Sequence, residues 1–132
     1  MSNLLVNTRD QQFVLFEQLG IEKLLETEAY KDYDKDSLLM ILNEAEKLAV
    51  NVIAPTLKEG DQEGCHFKDG KVSVPKCFHE PFKTFCEAGW LNPMDSPDVG
   101  GQGMPASIGF ATLEIFGAAN YAPLPAVFQR GE

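Results

Sequence analysis

The pattern of apolar and polar positions divides the chain into helical stretches joined by short polar turns. The clearest lies over residues 37–53. Leu38, Leu42, Ala45, Ala49 and Val52 step by four, three, four and three, Ile41 and Leu48 widen the stripe, and Glu44, Lys47 and Asn51 take the opposite face. Asp34 or Asp36 is suited to cap it, and Pro55 to kink or end it, because proline lacks a donor and crowds the preceding turn. The polar KEGDQEG beyond reads as a loop or a frayed last turn.

Upstream, Phe13, Phe16 and Leu19 fall on one stripe of a short helix capped by Asp10 and stopped by Gly20, and a second helical piece begins at Ile21. Downstream, HFKDGKVSV places Asp69-Gly70 between extended arms. That predicts a two-stranded hairpin over 66–74, which should lie against helices because a lone hairpin is marginal in water. Pro75 suits a first helical turn, Phe78, Phe82 and Phe85 form an aromatic stripe, and Pro81 bends or splits that segment. LNPMDSPDVGGQG is loop-rich, with Trp90, Leu91 and Met94 needing cover. The expected fold is an all-α helical bundle with one small hairpin.

The stretch from Pro105 to Asn120 breaks the amphipathic rule. Ile108, Ala111, Thr112, Ile115 and Ala119 line one face, while Phe110, Leu113 and Phe116 line others. Glu114 is its only charge, and Gly109 and Gly117 invite close approach by neighbouring backbones. Apolar character continues through Phe128. A helix that is apolar all round is a buried one, and wetting it costs several kcal/mol at ~25 cal/mol for each Å². The helices before it should cover one or two sides, leaving the rest to further polypeptide or a partner chain.

Charge narrows the alternatives. Acidic residues outnumber basic ones 20 to 11 in a chain of 132 residues with net charge −9, which disfavours nucleic acid and anionic membrane surfaces. No basic, apolar leader opens the chain and no apolar run could span a bilayer, so the expected location is the cytoplasm. Cys65, Cys77 and Cys86 are an odd number without repeated spacing, unlike a disulfide framework.

Gly100, Gly101 and Gly103 precede a helix as a phosphate-binding loop would. However, Met104-Pro105 stands where a Lys-Ser or Lys-Thr pair is required, and PMDSPDV is a poor preceding strand, so a role in turning and packing is expected. Cys65, His66, Cys77, His79 and Cys86 raise a metal site. In a helix Cys77 and Cys86 would point to opposite sides, so no metal is expected. Glu114 as sole charge could pass for a buried general base, and a structural hydrogen-bonding role is favoured over it. Asp98 beside the glycines should make local backbone bonds. No catalytic residue is assigned.

EAEKLAVNVIAPTLKEGDQEG, inside Leu38–Gly64, resembles the first long helix of acyl-CoA dehydrogenases. FKTFCEAGWLNPMDSPDVGGQGMP resembles that family's following helix, turn and glycine loop. The extra N-terminal segment and the Asp-Gly hairpin resemble the branch that includes methylthiopropanoyl-CoA dehydrogenase. The resemblance implies an N-terminal helical extension over 1–35 and an N-terminal-type helical domain over 36–132. The FAD-binding β domain and the C-terminal helical domain of such enzymes have no counterpart here. In that family a carboxylate base removes the α proton of an acyl-CoA thioester as hydride passes from the β carbon to flavin. The implied partners are FAD, acyl-CoA, electron-transferring flavoprotein and further copies in a homo-oligomer. This chain alone should hold no flavin and be inactive. The resemblance puts Leu124, Pro125 and Phe128 at the acyl pocket wall, although the double proline departs from the family's helical continuation. The alternatives are a free-standing helical interaction module and a small metal-dependent regulator.

Overall fold

The computed structural model describes residues 4–123, in a mostly helical arrangement with one small antiparallel sheet. The first helix, α1, spans Thr8–Gln12 and is capped by Asn7, whose side chain accepts from the Asp10 N–H at 3.3 Å. Asp10, expected as the cap, sits in the first turn instead. The chain continues as a π turn over Phe13–Gln18, closed by a bond from the Leu19 N–H to the Val14 carbonyl at 2.8 Å. The wider turn changes the register. Leu15 and Phe16 point inward, whereas Phe13 and Leu19 of the expected stripe stay exposed. Gly20, with φ +61°, ends the segment before a 3₁₀ turn over Ile21–Glu26.

Helix α2, Lys35–Leu48, is capped by Asp34 rather than Asp36. Its carboxylate accepts from the Ser37 N–H at 2.7 Å, and the Asp34 N–H donates back to Ser37 Oγ at 2.8 Å. Leu38, Leu42, Ala45 and Ala49 are buried, as their spacing requires. A second π turn follows over Ala49–Ile53, where the Ala54 N–H reaches the Ala49 carbonyl at 2.8 Å. It lies immediately before Pro55, which cannot donate to an ordinary helical ladder. The extra residue turns Ile53 into the core and leaves Val52 half-buried.

Residues expected as loop or frayed turn instead form α3, Thr56–Glu63. Packing outweighs the poor propensity of this polar, glycine-containing stretch. Gly60 lies so close beneath Phe78 that a β-carbon there would sit 2.3 Å from the ring. Glu63 also accepts the Lys76 N–H at 3.1 Å. Strands β1, His66–Lys68, and β2, Lys71–Ser73, pair antiparallel around Asp69 (φ +53°) and Gly70 (φ +74°), with Phe67 opposite Val72. The hairpin is the predicted one, but the cover is not. Every strand residue is exposed, Phe67 by 75% and Val72 by 69%. The two turn residues set the pairing locally without help from a helix.

A 3₁₀ turn, Lys76–Phe78, leads into α4, His79–Glu87. Pro81 occupies the first turn of α4, where no N–H is needed, and the segment from Pro75 is split ahead of it into the 3₁₀ turn and α4. Phe78 and Phe85 are buried and Phe82 is half-buried. Helix α5, Ala106–Asn120, crosses α2, and their apolar faces share one core with Leu15, Phe16 and Ile21 of the N-terminal segment. Phe85 and Trp90 both meet Phe116 edge-on, at centroid distances of 5.0 and 5.1 Å. Among the described residues no helix is long and apolar enough to cross a membrane.

The expected α5 face of Ile108, Ala111, Thr112, Ile115 and Ala119 is buried. Phe116 joins it, while Phe110 is exposed and Leu113 is half-buried. Gly109 does admit a close neighbour, since a β-carbon would meet Met94 at 2.3 Å. Gly117 does not, because its nearest contact is an ordinary 3.5 Å from Tyr121.

Candidate functional site

The glycine loop is built from its own backbone. A 3₁₀ turn over Pro97–Val99 ends in Gly100 (φ +83°). The N–H groups of Gly100, Gly101 and Gly103 donate to the carbonyls of Pro97, Ser96 and Asp95 at 3.0, 3.0 and 2.8 Å. A phosphate cradle needs such donors aimed outward at the ligand, and these are consumed inside the loop. Gly101 is forced by contact: a β-carbon would lie 2.0 Å from the Asp95 carbonyl oxygen. Asp98 makes a local bond through its N–H to Ser96 Oγ at 3.3 Å.

The loop is tied to distant parts of the chain. Gln102 Nε2 donates to the Gly89 carbonyl at 3.0 Å, and Tyr33 donates its hydroxyl to the Gln102 carbonyl at 2.7 Å. Burial, with the nearby Asp32 carboxylate, raises the Tyr33 pKa, so the phenol remains a donor at neutral pH.

Glu114 is exposed and serves as a structural acceptor. Gln11 Nε2 bridges its carboxylate at 3.0 Å and the Ala111 carbonyl at 3.1 Å, joining the N-terminal segment to α5. Cys65 and His66 lie on the exposed hairpin side of the molecule, His79 is exposed, and Cys77 and Cys86 are half-buried. Among the described residues no three His, Cys, Asp or Glu side chains gather as metal ligands would.

Two features were not foreseen from sequence. A groove of about 550 Å³ runs between the first helical segment and the N-terminal half of α5, with Val14, Leu15, Phe110 and Ala111 among its apolar walls and Asp10 and Glu114 among its polar groups. Ser107 also lines it, with an Oγ that is buried and lacks a hydrogen-bond partner among the described residues. The one signal in the sequence was Phe110, which stands off the Ile108–Ala111–Ile115 stripe of its helix. The second feature is a buried relay at the end of α5. Asn120 donates to Thr56 Oγ1, and Thr56 donates to the Ile53 carbonyl at 2.7 Å. Asn120 Oδ1 also accepts the Ala122 N–H at 3.1 Å, fixing how the chain leaves the helix. Leu124, Pro125 and Phe128 lie outside the described residues.

No family model matches the chain. Similar curated proteins agree with one another. Over 124 residues the chain is 35% identical to a broad-specificity linear acyl-CoA dehydrogenase of Mycobacterium tuberculosis, covering 92% of this chain and 20% of that protein. It is 38% identical over 91 residues to a butyryl-CoA dehydrogenase of Syntrophomonas wolfei (66% of this chain, 15% of the relative). It is 28% identical over 93 residues to a 3-methylmercaptopropionyl-CoA dehydrogenase of Ruegeria pomeroyi (70% and 16%). The chain thus spans a fifth or less of the length of these relatives.

Proposed function

We propose, for a chain that belongs to the acyl-CoA dehydrogenase family, the role of N-terminal helical domain in a flavin-dependent enzyme acting on an acyl-CoA thioester. In this reading residues 1–35 are an N-terminal extension and residues 36–132 the family domain. Leu124, Pro125 and Phe128 form part of the acyl pocket wall. FAD in the complete enzyme supplies the hydride acceptor. The N–H groups of Gly100, Gly101 and Gly103 are spent inside their loop and are not free to hold its phosphates. Electron-transferring flavoprotein as oxidant, a homo-oligomeric assembly and a cytoplasmic location belong to the same proposal.

The observation that carries it is the open side of α5. Phe110 and Tyr121 are exposed and Leu113 and Gly117 half-buried on a strip whose only charge is Glu114. Such a surface is what one domain presents to another, since monomers seldom leave a contiguous apolar strip wet. The isolated 132-residue chain should therefore purify colourless, bind a hydrophobic dye such as ANS, and self-associate with rising concentration. Stoichiometric flavin on that chain would overturn the assignment. So would a dye-silent monomer whose reading frame stops at Glu132, an outcome that favours a free-standing interaction module.

A further inference from the structure

The groove between the first helical segment and α5 combines three unmet demands. Val14 and Phe110 leave 41% and 62% of their surfaces open, an apolar area that favours apolar cover. Asp10 and Glu114 accept hydrogen bonds from the side-chain amides of Asn7 and Gln11, at 2.7 and 3.0 Å, and among the described residues no Lys or Arg lines the groove. Carboxylates whose donors among the described residues are neutral amides keep their negative charge uncompensated and favour an added cation, because an ion pair adds Coulombic attraction to the hydrogen bond. Ser107 Oγ, buried and without a hydrogen-bond partner among the described residues, calls for one more polar group.

We propose that the groove seats a basic amphipathic segment supplied by the remainder of the longer polypeptide. An apolar side chain of that segment enters between Val14 and Phe110. A Lys or Arg head reaches Asp10 and Glu114, and a polar group pairs with Ser107 Oγ. Charge complementarity selects this occupant over an acidic or purely apolar one, in a chain whose net charge is −9. The length of the relatives, of which this chain spans 20% or less, supplies the source. The volume of about 550 Å³ accommodates several side chains. The inference rests on the reading of this chain as one domain of a longer dehydrogenase, and adds the chemistry of the element that covers it.

The test has two arms. The 132-residue chain is titrated with hexylguanidinium, hexanol and hexanoate, which share one apolar body under three different heads, and followed by ¹⁵N–¹H spectra. Hexylguanidinium should shift the amides of Ser107, Phe110 and Glu114 and bind about tenfold more tightly than hexanol, with hexanoate weakest. Phe110→Ser should abolish the shifts. The Asp10→Asn/Glu114→Gln double variant, which keeps every acceptor oxygen needed by Asn7 and Gln11, should reduce the cation to the level of the alcohol. Equal binding of hexanoate, a cation advantage that survives the double variant, or no shift at the groove would each overturn the chemistry. The second arm compares hydroxyl-radical labelling of Phe110 in the 132-residue chain and in the longer polypeptide. Labelling should fall several-fold in the longer protein, and unchanged labelling would overturn the source. Flavin content of that same preparation reports separately on the dehydrogenase reading.

Discussion

The side-chain amide of Asn120 donates to the hydroxyl oxygen of Thr56 across 3.0 Å, joining residues 64 positions apart in a site where they are 3% and 7% exposed. The pair closes the gap left by the π turn. The Leu57 N–H bonds to the Ala54 carbonyl, so the Ile53 carbonyl takes the Thr56 hydroxyl instead. Removing either partner strands a buried polar group. Asn120→Ala and Thr56→Val should each destabilise the chain by about 2 kcal/mol, with a coupling of about 1 kcal/mol in the double variant. Urea unfolding of the four proteins measures this, and strictly additive losses would show that the two side chains act independently.

Two glycines should respond differently to the same substitution. At Gly101 a β-carbon meets backbone, the Asp95 carbonyl oxygen at 2.0 Å, so Gly101→Ala should cost about 3 kcal/mol and loosen the loop. At Gly109 it meets the Met94 side chain at 2.3–2.4 Å, which can be shortened. Gly109→Ala should therefore be destabilising in the parent and close to neutral beside Met94→Ala. Failure of Met94→Ala to rescue Gly109→Ala would place the strain elsewhere.

What the sequence disclosed follows from how local each determinant is. The cap of α2, read as Asp34 or Asp36, the Asp69-Gly70 turn and the spacing of Leu38, Leu42, Ala45 and Ala49 depend on a few neighbouring residues; the structure selects Asp34 and shows the other two as read. The two π turns do not have a local code. Each adds a residue to the turn and shifts the apolar positions within it and directly beside it. That is why Leu15 and Ile53 took the places expected for Phe13 and Val52. Helix α3 was illegible because its cause, the seating of Phe78 over Gly60, lies 18 positions away. The groove could not be read for the same reason, since Asp10 and Glu114 come to line one groove only where the first helical segment meets α5.

The three thiols should separate kinetically. Cys65 is exposed, whereas burial raises the Cys77 thiol, helped by the Glu59 and Glu63 carboxylates, and burial also raises Cys86, helped by Glu87. Cys77 Sγ in addition donates to the Thr56 carbonyl at 3.8 Å. Thiolate is the reactive form, so near neutral pH a disulfide reagent should modify Cys65 first and the other two only slowly. Peptide mapping of the early product identifies the site. Modification of Cys77 ahead of Cys65 would contradict the arrangement around α3.

The cap of α2 should leave a signature in acid. The Ser37 backbone N–H bonded to Asp34 holds that carboxyl below its ordinary value, with the Ser37 hydroxyl adding to the effect. A folded-state value below the unfolded one means that the contribution is complete above the unfolded carboxylate range, about pH 4. It is lost as the pH falls through the depressed folded value. Asp34→Asn retains an oxygen to accept the Ser37 N–H and removes only the charge. The variant should unfold at lower urea than the parent at neutral pH, and the two midpoints should converge as the medium is acidified through the depressed folded value. A difference that stayed constant from neutral to acid pH would mean that the Asp34 charge plays no part in holding the start of α2.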